Sequence, residues 1–145
     1  MTNIVPPSEI RKGFIAGNFD VIHPGYIQMF KDSKSVCDWL VVGLHVDPSC
    51  ERPDKLKPIL SIEERAEMLL ELNSVDEVIP YDTEEDLVSL LQKLSPAVRI
   101  LGSDYKGRAF TGDHLSIPIH YHVRDHDWST TAFKKEIAKS LLEKL

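Results

Sequence analysis

Between positions 38 and 45 the chain reads Asp38-Trp39-Leu40-Val41-Val42-Gly43-Leu44-His45, and this unbroken apolar run narrows the possible folds more than any other stretch. A strand with one wet face alternates polar and apolar residues, so a run without alternation suits a strand covered on both faces, as in a parallel sheet. The neighbouring segments agree. Gly13-Phe14-Ile15-Ala16, Val75 to Pro80, Val98 to Gly102 and Ile117 to Val123 read as four further strands, the last placed at an edge by Pro118 and its alternation. Helical spacing fills the gaps. One helix is expected over 24–35, opened by Pro24, with Ile27, Met29, Phe30 and Val36 as apolar positions. Ser61-Ile62-Glu63-Glu64 forms a capping box, with helix continuing from Arg65 to Leu72. Thr83-Glu84-Glu85-Asp86 caps a helix carrying Leu87, Leu90, Leu91 and Leu94, which Ser95-Pro96 stops. Ser129-Thr130-Thr131 begins a last helix running toward Leu145. Strands alternating with helices predict right-handed crossovers and an α/β fold: one parallel sheet with helices on both faces, in a single domain spanning 1–145. Val46 to Leu60 and Ser103 to Ser116 are long connections without periodicity.

Composition bounds the function. With 42% hydrophobic and 28% charged residues the chain is an ordinary globular protein. Its net charge of −6 argues against a nucleic-acid surface. No apolar run approaches a membrane span, and Met1 to Pro7 lacks a signal peptide's layout, so a cytoplasmic address is expected. Cys37 and Cys50 have no metal-type spacing and make no disulfide framework, which fits a reducing compartment.

The chemistry concentrates in Gly17-Asn18-Phe19-Asp20-Val21-Ile22-His23-Pro24-Gly25-Tyr26, a turn between the first strand and the first helix. Pro24 suits a first helical position because its missing N–H would be unpaired there, and the free amides of that helix start are where a phosphate would sit. Gly25 allows close backbone approach to a ligand, and His23 and Tyr26, three apart, project toward one site.

These residues resemble the Gly-x-Phe-Asp-x-x-His-x-Gly-His signature of the cytidylyltransferase-like nucleotidyltransferases, matched at Gly17, Phe19, Asp20, His23 and Gly25, with Tyr26 in place of the second histidine. The resemblance implies a Rossmann-like fold in which His23 stabilises nucleotide phosphates while a substrate phosphate attacks the α-phosphate and pyrophosphate leaves. Arg124, Ser129, Thr130 and Thr131 are in register with the Arg-Thr-x-Gly-x-Ser-Thr-Thr element of glycerol-3-phosphate cytidylyltransferases, which implies phosphate contacts for all four. Gly102-Ser103-Asp104-Tyr105-Lys106 resembles both those enzymes and the heptose-phosphate adenylyltransferases, and so does not choose the base. Lys55 and Lys57 match the family's lysine loop loosely, and either is a candidate for the β- and γ-phosphates. An arginine that the glycerol-3-phosphate enzymes carry before their Val-Asp-Glu-Val is Asn73 here.

His120 and His122 share a strand face, yet no cysteine or spaced carboxylate set accompanies them, so no protein-held metal is expected. Mg²⁺ is expected instead through the nucleotide phosphates. The resemblance thus implies a nucleotidyltransferase, first as a cytidylyltransferase moving CMP from CTP to a phosphorylated alcohol or sugar. The alternatives are an adenylyltransferase using ATP on a sugar phosphate and a catalytically weak nucleotide-binding module. Relatives imply a homodimer.

Overall fold

The computed structural model describes residues 10–145, so the reading of Met1 to Pro7 lies outside the described residues. Strand β1 (Lys12–Gly17) runs up the middle of a five-stranded sheet. On one side it pairs with β2 (Trp39–His45), and β2 pairs with β3 (Glu77–Tyr81). On the other side it pairs with β4 (Val98–Gly102), which pairs with β5 (Ile119–His122). Every pairing is parallel, in the order β3-β2-β1-β4-β5. The α/β parallel-sheet expectation is borne out, and so is the edge position of the fifth strand.

All seven residues of β2 are buried, as the unbroken apolar run requires. Helices α1 (Pro24–Lys34) and α2 (Ile62–Leu70) cover one face, where Phe30, Ala66 and Leu69 pack on Ile15, Leu40, Val42 and Ile100. Helix α3 (Glu84–Leu94) covers the other, where Leu87 and Leu91 meet Phe14, Trp39 and Val41. Both capping boxes form, Ser61 with Glu64 and Thr83 with Asp86. Helix α4 (Thr130–Leu142) differs from the others in that none of its residues is buried.

Two strands are shorter than expected, for identifiable reasons. The third starts at Glu77 rather than Val75 because the Asp76 carboxylate accepts from the Leu40 amide at 2.8 Å and from Lys34 Nζ at 2.7 Å, closing the ladder. The fifth starts at Ile119 rather than Ile117: Pro118 has no amide, and its carbonyl accepts from the Arg99 amide at 2.8 Å as the last contact before the strand.

Arg65, only 2% exposed, organises the sheet's carboxyl end. Its guanidinium donates from Nη1 to the carbonyls of Asn18 (2.9 Å) and His45 (2.7 Å), from Nη2 to Val46 (2.6 Å) and from Nε to Leu60 (3.1 Å). One side chain therefore joins the end of β1, the end of β2 and the loop leading into α2. Replacing it by methionine leaves these carbonyls without their donor and should lower stability by about 3 kcal/mol. Urea unfolding checks this, and an Arg65→Met protein as stable as the parent would show that the carbonyls are satisfied without the guanidinium.

Candidate active site

A cleft of about 990 Å³ opens over the carboxyl ends of the strands. Its position is the one expected for this topology, because β1 is the strand from which the chain order turns one way to β2 and the other way to β4. Of the residues singled out in the sequence, Gly17, Asn18, Phe19, His23, Gly25, Tyr26, Lys55, Gly102, Asp104, Arg124, Ser129, Thr130 and Thr131 line it. Asp20 and Lys57 stand outside the lining.

The turn after β1 explains its own residues. Phe19 has a left-handed backbone (φ 42°) and is buried, and its ring folds back over Gly17, where a Cβ would lie 2.9 Å from it. Glycine at 17 is therefore demanded by packing as well as by access. Asp20, fully buried, accepts from the amides of Ile59 (2.8 Å) and Leu60 (2.9 Å) and from Lys134 Nζ (2.5 Å). Burial pushes its carboxyl up, and the Lys134 ammonium with the two amides pulls it further down, so it is held ionised. Asp20 clamps the turn, the loop before α2 and helix α4 together.

His23 occupies the N-cap position of α1, yet its side chain makes no capping bond. Its ring is stacked 4.0 Å from Tyr26 and 5.8 Å from Trp128, with Phe133 edge-on at 6.3 Å. These rings fix the imidazole plane, and both its buried nitrogens lack a hydrogen-bond partner. Burial lowers its affinity for a proton, and the fields of His126 and Arg124 lower it further. His23 is thus neutral in the free protein, buried beside the Arg124 guanidinium.

His126 is a site residue that the sequence reading did not single out. Its Nδ1 accepts from the Trp128 amide at 3.0 Å, which places its proton on Nε2, and Nε2 is buried without a partner in the cleft wall. Gly25 makes room for this convergence: a Cβ there would lie 2.7 Å from His126 and 2.9 Å from both His23 and Trp128. That demand for a missing side chain is the one signal in the sequence that something closes on Gly25. Lys134 was likewise missed, since as one of several lysines on a solvated helix it carries no mark.

Helix α4 points its amino end into the cleft, with the Ser129 hydroxyl accepting from the Ala132 amide at 3.0 Å. Arg124 donates to the Trp128 carbonyl at 2.6 Å, closing the loop before the helix. The Tyr26 hydroxyl is hydrogen-bonded to Thr130 Oγ1. The side chain standing where the resemblance has a second histidine is therefore engaged in tying α1 to α4. His120 Nε2 and His122 Nδ1 both meet Asp32 Oδ2, at 3.0 and 2.8 Å, linking β5 to α1. Among the described residues one group of metal-type ligand atoms lies within 4.8 Å, from His45, Glu51 and Glu84. The Glu84 amide donates to the Glu51 carboxylate, and Arg52 donates to that of Glu84.

Arranged this way, unpaired imidazole nitrogens, a guanidinium, an ammonium and the free amides of a helix start face one space, and such a set binds phosphate oxygens. Because the Tyr26 hydroxyl is committed to Thr130, Tyr26→Phe should keep the fold, lose about 1 kcal/mol and slow turnover by less than about tenfold. Thermal melting together with a pyrophosphate-release assay measures both. A loss of about 100-fold or more would give the phenol a direct place in the chemistry.

Known proteins fit this geometry. The family profile described as cytidylyltransferase-like matches residues 14–137. A bifunctional HldE protein of Wolinella succinogenes is 36% identical over 128 residues, covering 88% of this chain and 27% of that protein. The crystal structure of a lipopolysaccharide core biosynthesis protein from Thermoplasma volcanium superposes with a TM-score of 0.64 at 27% identity, over 83% of this chain and 99% of that one. Pantoate-beta-alanine ligase of Francisella tularensis shares the fold, with a TM-score of 0.61 at 16% identity over 95% of this chain and 72% of that one. With its strand-to-helix turn after β1, its cleft at the strand ends and a family match across most of its length, the chain belongs to the cytidylyltransferase-like nucleotidyltransferases.

Proposed function

We propose that this protein is an adenylyltransferase, joining the AMP of ATP to a phosphorylated sugar or similar acceptor with release of pyrophosphate. The similarity to HldE proteins supports ATP better than the CTP and glycerol-3-phosphate expectation. Asp104-Tyr105-Lys106, which resembles the heptose-phosphate adenylyltransferases, leans the same way. The observation that carries the reading is His23: buried, held by three aromatic rings, and with both nitrogens unpaired at the cleft.

In this reading an oxygen of the acceptor phosphate forms a bond to the α-phosphorus, and the bond from that phosphorus to the β-bridging oxygen breaks, its electron pair leaving with pyrophosphate. Positioning and charge stabilisation supply the catalysis, with no covalent enzyme intermediate. His23 and His126 donate to oxygens of the reacting phosphate, Arg124 and Lys55 neutralise the leaving group, and the amino end of α4 with Thr131 receives it. Mg²⁺, bound mainly by the phosphates, would add charge neutralisation. Asp104, which shares the surroundings of Gly102 with Arg124, is an oxygen donor suited to it. A homodimer and a cytoplasmic location belong to the same proposal, the latter supported by two free thiols, Cys37 and Cys50. No helix among the described residues is long and apolar enough to cross a membrane.

Pyrophosphate release with ATP or CTP and a panel of phosphorylated acceptors tests this. ATP should be the preferred donor, and His23→Ala should lower turnover by roughly 10²–10³. Preference for CTP would restore the cytidylyl reading, and binding without turnover on any acceptor would favour a nucleotide-binding module.

The low proton affinity of His23 predicts a pH signature. A bound polyphosphate raises that affinity, so binding takes up a proton, and nucleotide affinity should increase as pH falls from about 8 toward 6. Calorimetry in buffers of different ionisation enthalpy reads this as net proton uptake, which His23→Ala should reduce. For the free protein the sign is opposite. Its stability should decline as pH drops below the ordinary imidazole value of 6.5, because the unfolded chain takes the proton more readily.

A further inference from the structure

Beyond the residues around His23, the cleft extends toward the α3 side of the sheet, and there its wall holds Arg99 of β4. Arg99 is 4% exposed, which is unusual for a group that stays charged at any physiological pH. Its Nη1 donates to the Thr111 carbonyl at 2.5 Å, and its guanidinium carbon lies 5.3 Å from the centre of the Phe110 ring. Nε is buried and has no hydrogen-bond partner, and Arg99 makes no ion pair among the described residues. Glu84 and Asp113 favour its charge from a distance, but neither is ion-paired with it: Glu84 is paired with Arg52 at 3.1 Å, and Asp113 accepts from the Phe110 amide at 3.3 Å. The loop above it is shaped to its outline, since Gly112 has φ +82° and a Cβ there would lie 3.1 Å from Nη1.

A buried cation without a direct ion pair is costly to keep unless something supplies the opposing charge at close range. Arg99 does not stabilise the core as an apolar side chain would, and its side chain lines an open cleft with hydrogen-bonding capacity left unused. Resting on the adenylyltransferase reading, we propose that Arg99 anchors the phosphate of the acceptor. The direction of the reaction supports the placement. Attacking and leaving oxygens stand roughly in line across the α-phosphorus. With the leaving pyrophosphate at the α4 end, beside Arg124 and Thr131, the attacking phosphate enters from the opposite, α3 side, where Arg99 lies. Tyr81, Glu84 and Asp113 line the same part of the cleft and offer partners for acceptor hydroxyls.

The test separates the two halves of the cleft. The protein is saturated with α,β-methylene ATP and Mg²⁺ and titrated calorimetrically with inorganic phosphate, comparing the parent, Arg99→Lys and Arg99→Gln. The parent should bind phosphate with the nucleotide in place. Arg99→Lys, which keeps the charge and most of the packing but loses the planar fork, should weaken phosphate by about tenfold. Arg99→Gln should weaken it by about 100-fold. Nucleotide affinity should stay within about twofold in both, which a merely structural role, acting through the loop at Thr111, would not produce together with lost phosphate binding. Equal phosphate affinity in all three proteins, no phosphate binding by the parent, or a parallel loss of nucleotide affinity would each overturn the proposal. Should Arg99→Gln fail to fold, Arg99→Lys decides the same question. If α,β-methylene ATP does not bind the parent, the adenylyltransferase reading fails, and the phosphate titration repeated without nucleotide still decides Arg99.

Discussion

Two buried charges that do not touch hold the business end of this protein together. Arg65 gathers four backbone carbonyls from the ends of β1 and β2 and from the loop before α2. Asp20 gathers two amides of that same loop and the Lys134 ammonium. Strand ends leave carbonyls and amides without ladder partners, and burying them unpaired is expensive. A guanidinium and a carboxylate satisfy several of these groups at once, and so convert frayed strand ends into a rigid rim. The turn that carries His23 is part of that rim.

Helix α4 depends on the site as much as the site depends on it. None of its residues is buried, so it lacks the apolar anchoring that fixes α1, α2 and α3 to the sheet. What holds it is Lys134 on Asp20, Thr130 on Tyr26, and Phe133 against the rings of Trp128 and His23. Hydrogen bonds and ring contacts of this kind are individually modest, which places α4 at the lower end of the stability range within the fold. The helix whose amino end faces the cleft is thereby less firmly fixed than α1, α2 and α3, and its position is coupled to the His23 ring through Phe133.

The cleft also shows why net charge says little about a local partner. The chain carries a net charge of −6, yet His23, His126, Arg124 and Lys134 converge at one place. His23 stays neutral there because burial and the Arg124 guanidinium resist a further charge. An anion placed beside that ring would oppose the effect of Arg124 and favour its protonation, as nearby negative charge does for any imidazole.

Much of the fold was legible in the residues alone because its signals are local. An unbroken apolar run from Trp39 to Leu44 meant a strand covered on both faces, and Ser61 with Glu64 and Thr83 with Asp86 marked helix starts through hydrogen bonds spanning three residues. The turn from Gly17 to Tyr26 was likewise readable as a strand-to-helix turn, since Pro24 and Gly25 act on their own backbone. What the tertiary structure decided were the partners. Asp20 meets Lys134 across 114 positions of sequence and Tyr26 meets Thr130 across 104, and no periodicity encodes such pairings. That His126 and Arg99 line the cleft was invisible for the same reason. A sequence shows that a side chain is polar, whereas whether a buried nitrogen is left without a partner depends on every chain segment that folds around it.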